Sequence, residues 1–144
     1  MVDIKSEQQL RHAIEMMFFG YRAFTTGPDR ILATLGLNRM HHRILYFVGR
    51  DPSLSVNDLL TVLDISKQAL NAPLRQLLSM KLVLSTPAKH DGRVRELRLT
   101  AEGIRLEKRL TGTQLRQLRK VLSAAGVEAS AGWFDVMSQL SQRS

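Results

Sequence analysis

Two short predicted helices joined by a tight turn constrain this chain more than any other part of its sequence. The first covers about residues 55–63, the chain turns at Asp64-Ile65, and the second covers about 66–80. Ser55 and Ser66 stand where the helices begin, and a serine hydroxyl there accepts a hydrogen bond from a backbone N–H group of the first turn. Because the second helix is polar at its start and apolar later, the pattern predicts a helix-turn-helix.

A short β-hairpin is predicted directly after the second helix. Its strands cover 82–86 and 94–99, and in the second strand Leu97 and Leu99 alternate with charged residues. The connection is rich in turn-forming residues and contains Asp91-Gly92, a pair that favours tight turns. A basic hairpin is therefore expected to adjoin the helix-turn-helix.

The rest of the chain is predicted to be helical, which makes the fold mainly α with a small β part (α+β). Further helices are predicted over 6–25, 28–35, 39–49, 101–124 and 128–142. Gly27-Pro28 is expected to end the first of these, because proline lacks the N–H group that a helix interior needs, and Pro28 is expected to start the second. At 144 residues the chain has the size of one domain.

The positive charge of the chain is concentrated in one segment. The formal net charge is +8, from 21 Lys and Arg against 13 Asp and Glu. Residues 1–65 carry no net charge, whereas 66–109 carry ten basic and four acidic side chains. A positive surface confined to one segment is expected when a single face of a protein meets the phosphates of a nucleic acid. A solvated basic face that aids solubility is the alternative.

The composition excludes several other classes of protein. The chain has no cysteine, which excludes structural disulfides, thiolate metal sites and thiol redox switches. No apolar run approaches the roughly 18 residues of a membrane span, and the polar N-terminus is unlike a signal peptide, so a cytoplasmic location is expected. The chain has four histidines but neither a glycine-rich phosphate loop nor a nucleophile elbow. We therefore expect no enzyme activity, no metal and no cofactor.

Two motifs follow one another at a spacing that is typical of one protein family. Asp91-Gly92-Arg93 precedes Leu97-Arg98-Leu99-Thr100-Ala101-Glu102-Gly103, and Leu37-Asn38-Arg39-Met40-His41-His42-Arg43-Ile44-Leu45 lies before the helix-turn-helix. These residues and the order of the predicted elements resemble the MarR family of bacterial winged-helix transcription regulators. The resemblance covers essentially the whole chain and implies a single winged helix-turn-helix domain over 1–144. It also implies a DNA-binding lobe over 37–103 and dimerisation helices over 1–30 and 110–144.

Three features depart from the pattern of that family. His41 and His42 stand where many relatives have glutamine and an aromatic residue, and Lys81 stands where a glycine often ends the second helix. Pro73 lies inside that helix, where it removes the bond to the Ala69 carbonyl and is expected to kink the helix at a cost of about 3 kcal/mol. Pro73 therefore leaves an alternative function open, a winged-helix protein-interaction module with weakened or lost specific DNA binding.

The resemblance implies that the helix over 66–80 reads duplex DNA and that the hairpin is a wing. The residues expected to contact DNA are Ser66, Lys67, Gln68, Asn71, Arg75, Lys89, His90, Asp91, Arg93 and Arg95. Gln68 and Asn71 have amides that can bond adenine, and Arg93 is expected in the minor groove with its direction fixed by Asp91. Solvated polarity is the alternative for the two amides. RNA is disfavoured because residues 66–109 contain no aromatic side chain on which bases could stack.

The resemblance further implies a homodimeric repressor that binds an inverted repeat and is released by a small ligand. The predicted helix over 6–25 is apolar on nearly all sides, which favours a subunit interface, with a buried core helix as the alternative. The last helix, which contains Trp133, is expected in the same interface. In the family the ligand pocket lies between the dimer helices and the DNA-binding lobe. The residues expected near it are Tyr21, His41, His42 and Tyr46.

Overall fold

The computed structural model describes residues 2–142, which form six helices and one two-stranded antiparallel sheet. In chain order the elements are α1 (Glu7–Thr34), α2 (Arg39–Arg50), α3 (Val56–Leu63), α4 (Lys67–Ser79), β1 (Val83–Pro87), β2 (Arg95–Leu99), α5 (Ala101–Ala125) and α6 (Val127–Ser141). The prediction of a mainly α fold with one β-hairpin is confirmed. Of the helices that the structure describes, none is long and apolar enough to cross a membrane.

Side-chain caps fix where most of these helices begin. An oxygen of the capping side chain accepts a hydrogen bond from a backbone N–H of the first turn at Ser6, Asn38, Ser55, Ser66 and Thr100. At α2 and α3 the bond is reciprocal, because the third helical residue also accepts from the backbone N–H of the cap. Each contact joins residues that are at most three positions apart. The predicted bounds from α2 to α6 are accordingly confirmed to within one residue.

Helix α1 is longer than predicted, because Pro28 lies inside it and does not end it. The prediction that Gly27-Pro28 separates two helices is therefore wrong. A proline at position 28 deprives the Phe24 carbonyl of its usual helical N–H partner. Gln114 of α5 takes that place, since its side-chain nitrogen donates to the Phe24 carbonyl at 3.4 Å. Packing against α5 thus compensates for the proline, and the boundary predicted at residue 30 falls inside a helix.

Helix α4 is also continuous through a proline, Pro73. It ends in a Schellman C-cap, in which Leu82 N–H donates to the Leu77 carbonyl at 3.0 Å. Lys81 takes the left-handed conformation that this cap requires, with φ of 58°. Glycine would favour that conformation, and Lys81 stands in its place here. Lys81 adopts it because the next residue, Leu82, is buried in the core.

The base of the hairpin is fixed to the rest of the molecule. Strands β1 and β2 pair with Val83 opposite Leu99 and Pro87 opposite Arg95. The N–H of Leu97 in turn donates to the Leu54 carbonyl, before α3, at 2.8 Å. The connection between the strands, over residues 88–94, is therefore the part of the hairpin that is free to contact a partner.

One leucine-rich core joins the helix-turn-helix, the hairpin and the adjoining parts of α1 and α5. Its most deeply buried side chains are Leu32, Ile44, Leu45, Val48, Leu59, Leu70, Leu77, Val83, Leu97 and Leu110. Leu70 and Leu77 lie on the inner side of α4, and Leu74 and Leu78 pack partly against the same core, as predicted. Because Leu32 belongs to α1 and Leu110 to α5, these long helices are packed into the core of the lobe.

Candidate nucleic-acid interface

The outer face of α4 presents a row of polar side chains. Gln68, Asn71 and Arg75 are three and four positions apart, so they share one side of the helix, and all are exposed. Lys67 is exposed beside them. Across residues 2–142, no hydrogen bond or ion pair engages these four side chains. Ser66 caps the helix through a 3.0 Å bond that its oxygen accepts from Ala69 N–H, and its own hydroxyl proton stays available.

The tip of the hairpin carries an arginine held in one direction. Asp91 accepts two bonds from the Arg93 guanidinium, from Nε at 3.2 Å and from Nη2 at 3.3 Å, and a third from the Arg93 backbone N–H. The Arg93 side chain is nonetheless 92% exposed. These bonds lower the pKa of Asp91 below its ordinary value, so the carboxylate that orients Arg93 is charged at neutral pH. The predicted pairing of Asp91 with Arg93 is therefore present.

The other basic residues of the hairpin differ in how free they are. Lys89 and His90 are exposed in the connection between the strands. Arg95 is bonded across the hairpin instead, since its Nε donates to Ser85 Oγ at 3.0 Å and its Nη2 to the Ser85 carbonyl at 2.7 Å. Arg95 therefore braces the two strands with part of its guanidinium.

A cavity of about 270 Å³ lies where α1, α2 and α5 meet. Its lining residues are Phe24, His42, Arg43, Tyr46, Phe47, Thr111, Gln114, Leu115 and Leu118. The cavity thus combines an apolar wall with a few polar groups, one of them a guanidinium, which is the usual character of small-ligand sites. It contains two of the four residues that the sequence predicted near a ligand, His42 and Tyr46.

A hydrogen-bonded chain links α2 to α5 at the edge of this cavity. His42 Nε2 is 3.1 Å from Thr111 Oγ1, and the Thr111 hydroxyl donates to Glu107. Because the hydroxyl proton is directed to Glu107, the proton between Thr111 and His42 belongs to His42 Nε2. Burial lowers the pKa of His42 below its ordinary value, although Glu107 and Asp29 oppose this. His42 is therefore neutral at neutral pH.

His41 and Tyr21 do not line that cavity, so the predicted group of four is divided. His41 is 4% exposed, and its side chain on α2 faces α4. Its Nδ1 contacts the Asn38 backbone N–H and its Nε2 contacts Gln76. Tyr21 is exposed, and its hydroxyl accepts a 2.7 Å bond from Arg43, which does line the cavity. Tyr21 thus reaches the cavity only through Arg43.

The sequence missed the residues that α1 and α5 contribute to the cavity. Phe24 and Thr111 belong to no motif and are 87 positions apart, and only the packing of α1 on α5 brings them together. Arg43 lies within the motif over residues 37–45, but its position next to the cavity depends on how α2 is rotated. A second depression, of about 370 Å³, borders the Asp29–Arg39 ion pair, and none of the four residues predicted near a ligand lines it. No cluster of three metal-binding side chains occurs in residues 2–142.

Large apolar side chains are exposed on α1, α5 and α6. Those that are at least 50% exposed on these helices are Leu10, Ile14, Met16, Met17, Phe18, Phe19, Leu115, Val121, Phe134, Val136, Leu140 and Val127. Trp133 is 42% exposed in the same region of the chain. Soluble monomers rarely expose so many large apolar groups together, because their contact with water is unfavourable.

Comparisons with known proteins agree on one family. A family model described as MarR family matches residues 35–94. The HTH-type transcriptional regulator PetP of Rhodobacter capsulatus is 43% identical over 135 residues, which cover 94% of this chain and 81% of that protein. A crystal structure of Streptococcus pneumoniae FabT in complex with DNA has a similar fold, with a TM-score of 0.81, 14% identity and coverage of 95% and 96% of the two chains. A crystal structure of a MepR–DNA complex from S. aureus also has a similar fold, with a TM-score of 0.65 and 18% identity. The match covers 96% of this chain and 98% of that chain.

Proposed function

Since this chain belongs to the MarR family of winged-helix transcription regulators, which are DNA-binding proteins and not enzymes, we propose that it is a homodimeric repressor of specific promoters that a small ligand releases. The observation that carries the proposal is the unengaged polar face of α4 beside the oriented Arg93 of the wing. In this proposal residues 37–103 form the DNA-binding lobe, and 1–30 and 110–144 contribute the dimer contacts.

Helix α4 enters the major groove in this proposal. Gln68 and Asn71 can each bond adenine through two hydrogen bonds, and Arg75 can bond guanine or a phosphate. Lys67 can also bond guanine or a phosphate, through its single ammonium group. The Ser66 hydroxyl donates to a phosphate at the N-terminus of the helix, where the backbone dipoles also favour an anion. The four side chains of the exposed face are free to do this because no intramolecular bond has to break first.

The wing contacts the neighbouring minor groove. Arg93 enters the groove, where narrow A·T-rich stretches concentrate negative potential. Asp91 reduces the number of conformations that Arg93 loses on binding, since the guanidinium is already held in one direction. Lys89, His90 and the remaining donors of Arg95 contact phosphates, which supply affinity and little sequence preference.

A second copy of the chain covers the exposed apolar faces of α1, α5 and α6. Burying these side chains removes apolar surface from water, which is the main driving force for stable association. A two-fold dimer then presents two α4 helices to half-sites about 34–36 Å apart, one turn of DNA. This geometry explains why a lobe that reads only a few base pairs can select a promoter.

The dimer surface can be tested with two charged substitutions and a matched control. The double variant Phe19→Asp, Phe134→Asp is expected to sediment as a monomer of 16.3 kDa, because each site would place a carboxylate in an apolar interface. Leu84→Asp changes a side chain of similar exposure, 49%, on the hairpin and is expected to leave the dimer intact. A double variant that still sediments with twice the chain mass would place the interface elsewhere.

The ligand occupies the cavity lined by His42, Arg43 and Tyr46. The guanidinium of Arg43 and the apolar wall of the cavity suit a small molecule with an acidic group and an apolar body. The volume of the cavity, about 270 Å³, limits this molecule to a compact one. Because His42 and Tyr46 belong to α2 whereas Thr111 and Leu118 belong to α5, a ligand there can change the distance between the lobe and the dimer helices. Release requires that the ligand binds the released conformation better than the DNA-bound one.

Selection of duplexes from a random library tests the function directly. The chain is expected to enrich one inverted repeat and to bind it at least about 1000-fold more tightly than a scrambled duplex, with affinity that falls steeply as salt increases. Compact acids that release the selected duplex would support the ligand, and a reporter placed behind that duplex would report repression. Failure to prefer any duplex at about 150 mM salt would instead favour the protein-interaction module.

A further inference from the structure

His41 forms two hydrogen bonds that together fix its protonation state. Its Nδ1 is 3.0 Å from the backbone nitrogen of Asn38, and its Nε2 is 2.9 Å from Gln76 Oε1. A backbone N–H can only donate, so Nδ1 accepts and carries no proton. The single ring proton is therefore on Nε2, which donates to Gln76. Only neutral His41 can form both contacts at once, because a protonated ring could still donate to Gln76 but could not accept from Asn38 N–H.

Gln76 extends this network to a third segment of the chain. Its side-chain nitrogen donates to the Gly36 carbonyl at 3.4 Å, in the turn between α1 and α2. Among the residues that the structure describes, Gln76 is the one member of α4 whose side chain hydrogen-bonds to another element. The rest of the contact between α4 and the lobe consists of leucine side chains such as Leu70 and Leu77.

We infer that His41 and Gln76 are positioning residues, which set the rotation of α4 and thereby its choice of DNA sequence. Leucine packing is non-directional and does not by itself fix one rotation, whereas hydrogen bonds constrain both distance and angle. Gln76 directly follows Arg75, which belongs to the exposed polar face. A rotation of α4 that breaks the bond between Gln76 and His41 also moves Arg75, Asn71 and Gln68. This inference rests on the proposed reading of DNA by α4.

The network predicts a dependence of specificity on pH. A protonated His41 has a proton on both ring nitrogens and cannot accept from Asn38 N–H. The contact between His41 and Asn38 therefore opens as pH falls. Burial lowers the pKa of His41 below its ordinary value, although the bond to Gln76 opposes this, so the neutral form prevails at neutral pH. The charged side chains two positions from His41 on α2 are Arg39, which pairs with Asp29 of α1, and Arg43, which donates to the Tyr21 hydroxyl, while Arg75 adjoins Gln76 on α4. None of them hydrogen-bonds to the ring.

The test uses the duplex selected by the unmodified chain and a scrambled duplex of the same composition. All proteins carry His90→Gln, so that the wing, which is expected to contact phosphates, contains no imidazole. The readout is the specificity ratio, the dissociation constant for the scrambled duplex divided by that for the selected one. At about pH 7.5, His41→Leu and Gln76→Leu are each expected to lower this ratio about tenfold, the effect of roughly one lost hydrogen bond, without weakening binding to the scrambled duplex.

His41→Gln is the matched control, because its amide can accept from Asn38 and donate to Gln76 and does not titrate. Its ratio is expected to equal that of the His90→Gln parent at about pH 7.5 and to stay constant down to about pH 5, whereas the parent's ratio falls as His41 is protonated. The double variant His41→Leu, Gln76→Leu is expected to be no worse than either single variant. Gln76 is exposed, so Gln76→Leu remains informative even if His41→Leu folds poorly.

Three results would overturn the inference. These are an unchanged ratio in Gln76→Leu, additive losses in the double variant, or a pH response in His41→Gln that matches that of the parent. If the unmodified chain selects no duplex, the proposed function fails and the inference fails with it. If it selects a duplex and the variants keep its ratio, only the inference fails.

Discussion

Replacing Gly103 by alanine is expected to destabilise the fold by about 3 kcal/mol, the upper part of the range for overpacked sites. A Cβ atom on Gly103 would lie far inside contact distance of the Leu82 backbone carbonyl oxygen and 3.4 Å from Leu99 Cβ. That carbonyl cannot move freely, because it accepts a 3.1 Å bond from the N–H of Thr100, the cap of α5. Thermal unfolding at a fixed protein concentration should show a melting temperature lower by roughly 10 °C.

Gly112 in the same helix is the matched control for this substitution. A Cβ there would meet only the end of the flexible Arg116 side chain, at 3.3 Å. Gly112→Ala is therefore expected to stabilise α5 by about 1 kcal/mol, the difference in helix propensity between the two residues. Equal melting temperatures for Gly103→Ala and the unmodified chain would show that the start of α5 and the backbone at Leu82, directly before β1, are less closely packed than described.

Replacing Arg93 by alanine is expected to weaken binding to the selected duplex by roughly 10- to 100-fold. The substitution removes the exposed guanidinium that Asp91 holds in position at the tip of the wing. Arg93→Lys keeps the charge but cannot reproduce the two-point contact with the carboxylate, so an intermediate loss is expected. Fluorescence anisotropy with the selected duplex at a fixed salt concentration measures both.

Arg105→Ala is the control that separates geometry from net charge. Arg105 is also an exposed arginine paired with a nearby carboxylate, Glu102 at 2.9 Å, but it lies on α5 and not on the wing. Its replacement removes the same charge and is expected to change affinity by no more than about twofold in screening salt. A loss as large as that of Arg93→Ala would mean that the wing contributes only to a general positive field.

The elements that the sequence predicted well are those whose boundaries depend on short-range contacts. Ser55, Ser66 and Thr100 each bond to a backbone N–H three residues later, and this chemistry is visible in the sequence. The pairing of Asp91 with Arg93 is equally local. The presence of a helix-turn-helix, the hairpin and the long helix after it could therefore be predicted from the sequence alone.

What could not be predicted from the sequence concerns residues whose partners are distant in sequence. Pro28 was expected to break α1, but Gln114, 86 positions away, bonds to the carbonyl that the proline leaves free. The contact between the His41 ring and Gln76, 35 positions away on α4, likewise depends on how the helices pack.

The sequence by itself determined the order and boundaries of most elements, the positive segment, and the family to which the chain belongs. These follow from caps, turns and periodicity, which act over a few residues, and from charge, which needs no coordinates. The tertiary structure decided that α1 continues through Pro28, which of His41 and His42 lines a cavity, and which polar groups of α4 are free. These depend on which distant side chains meet when the leucine core packs, because burial and hydrogen-bond partners are properties of the whole fold.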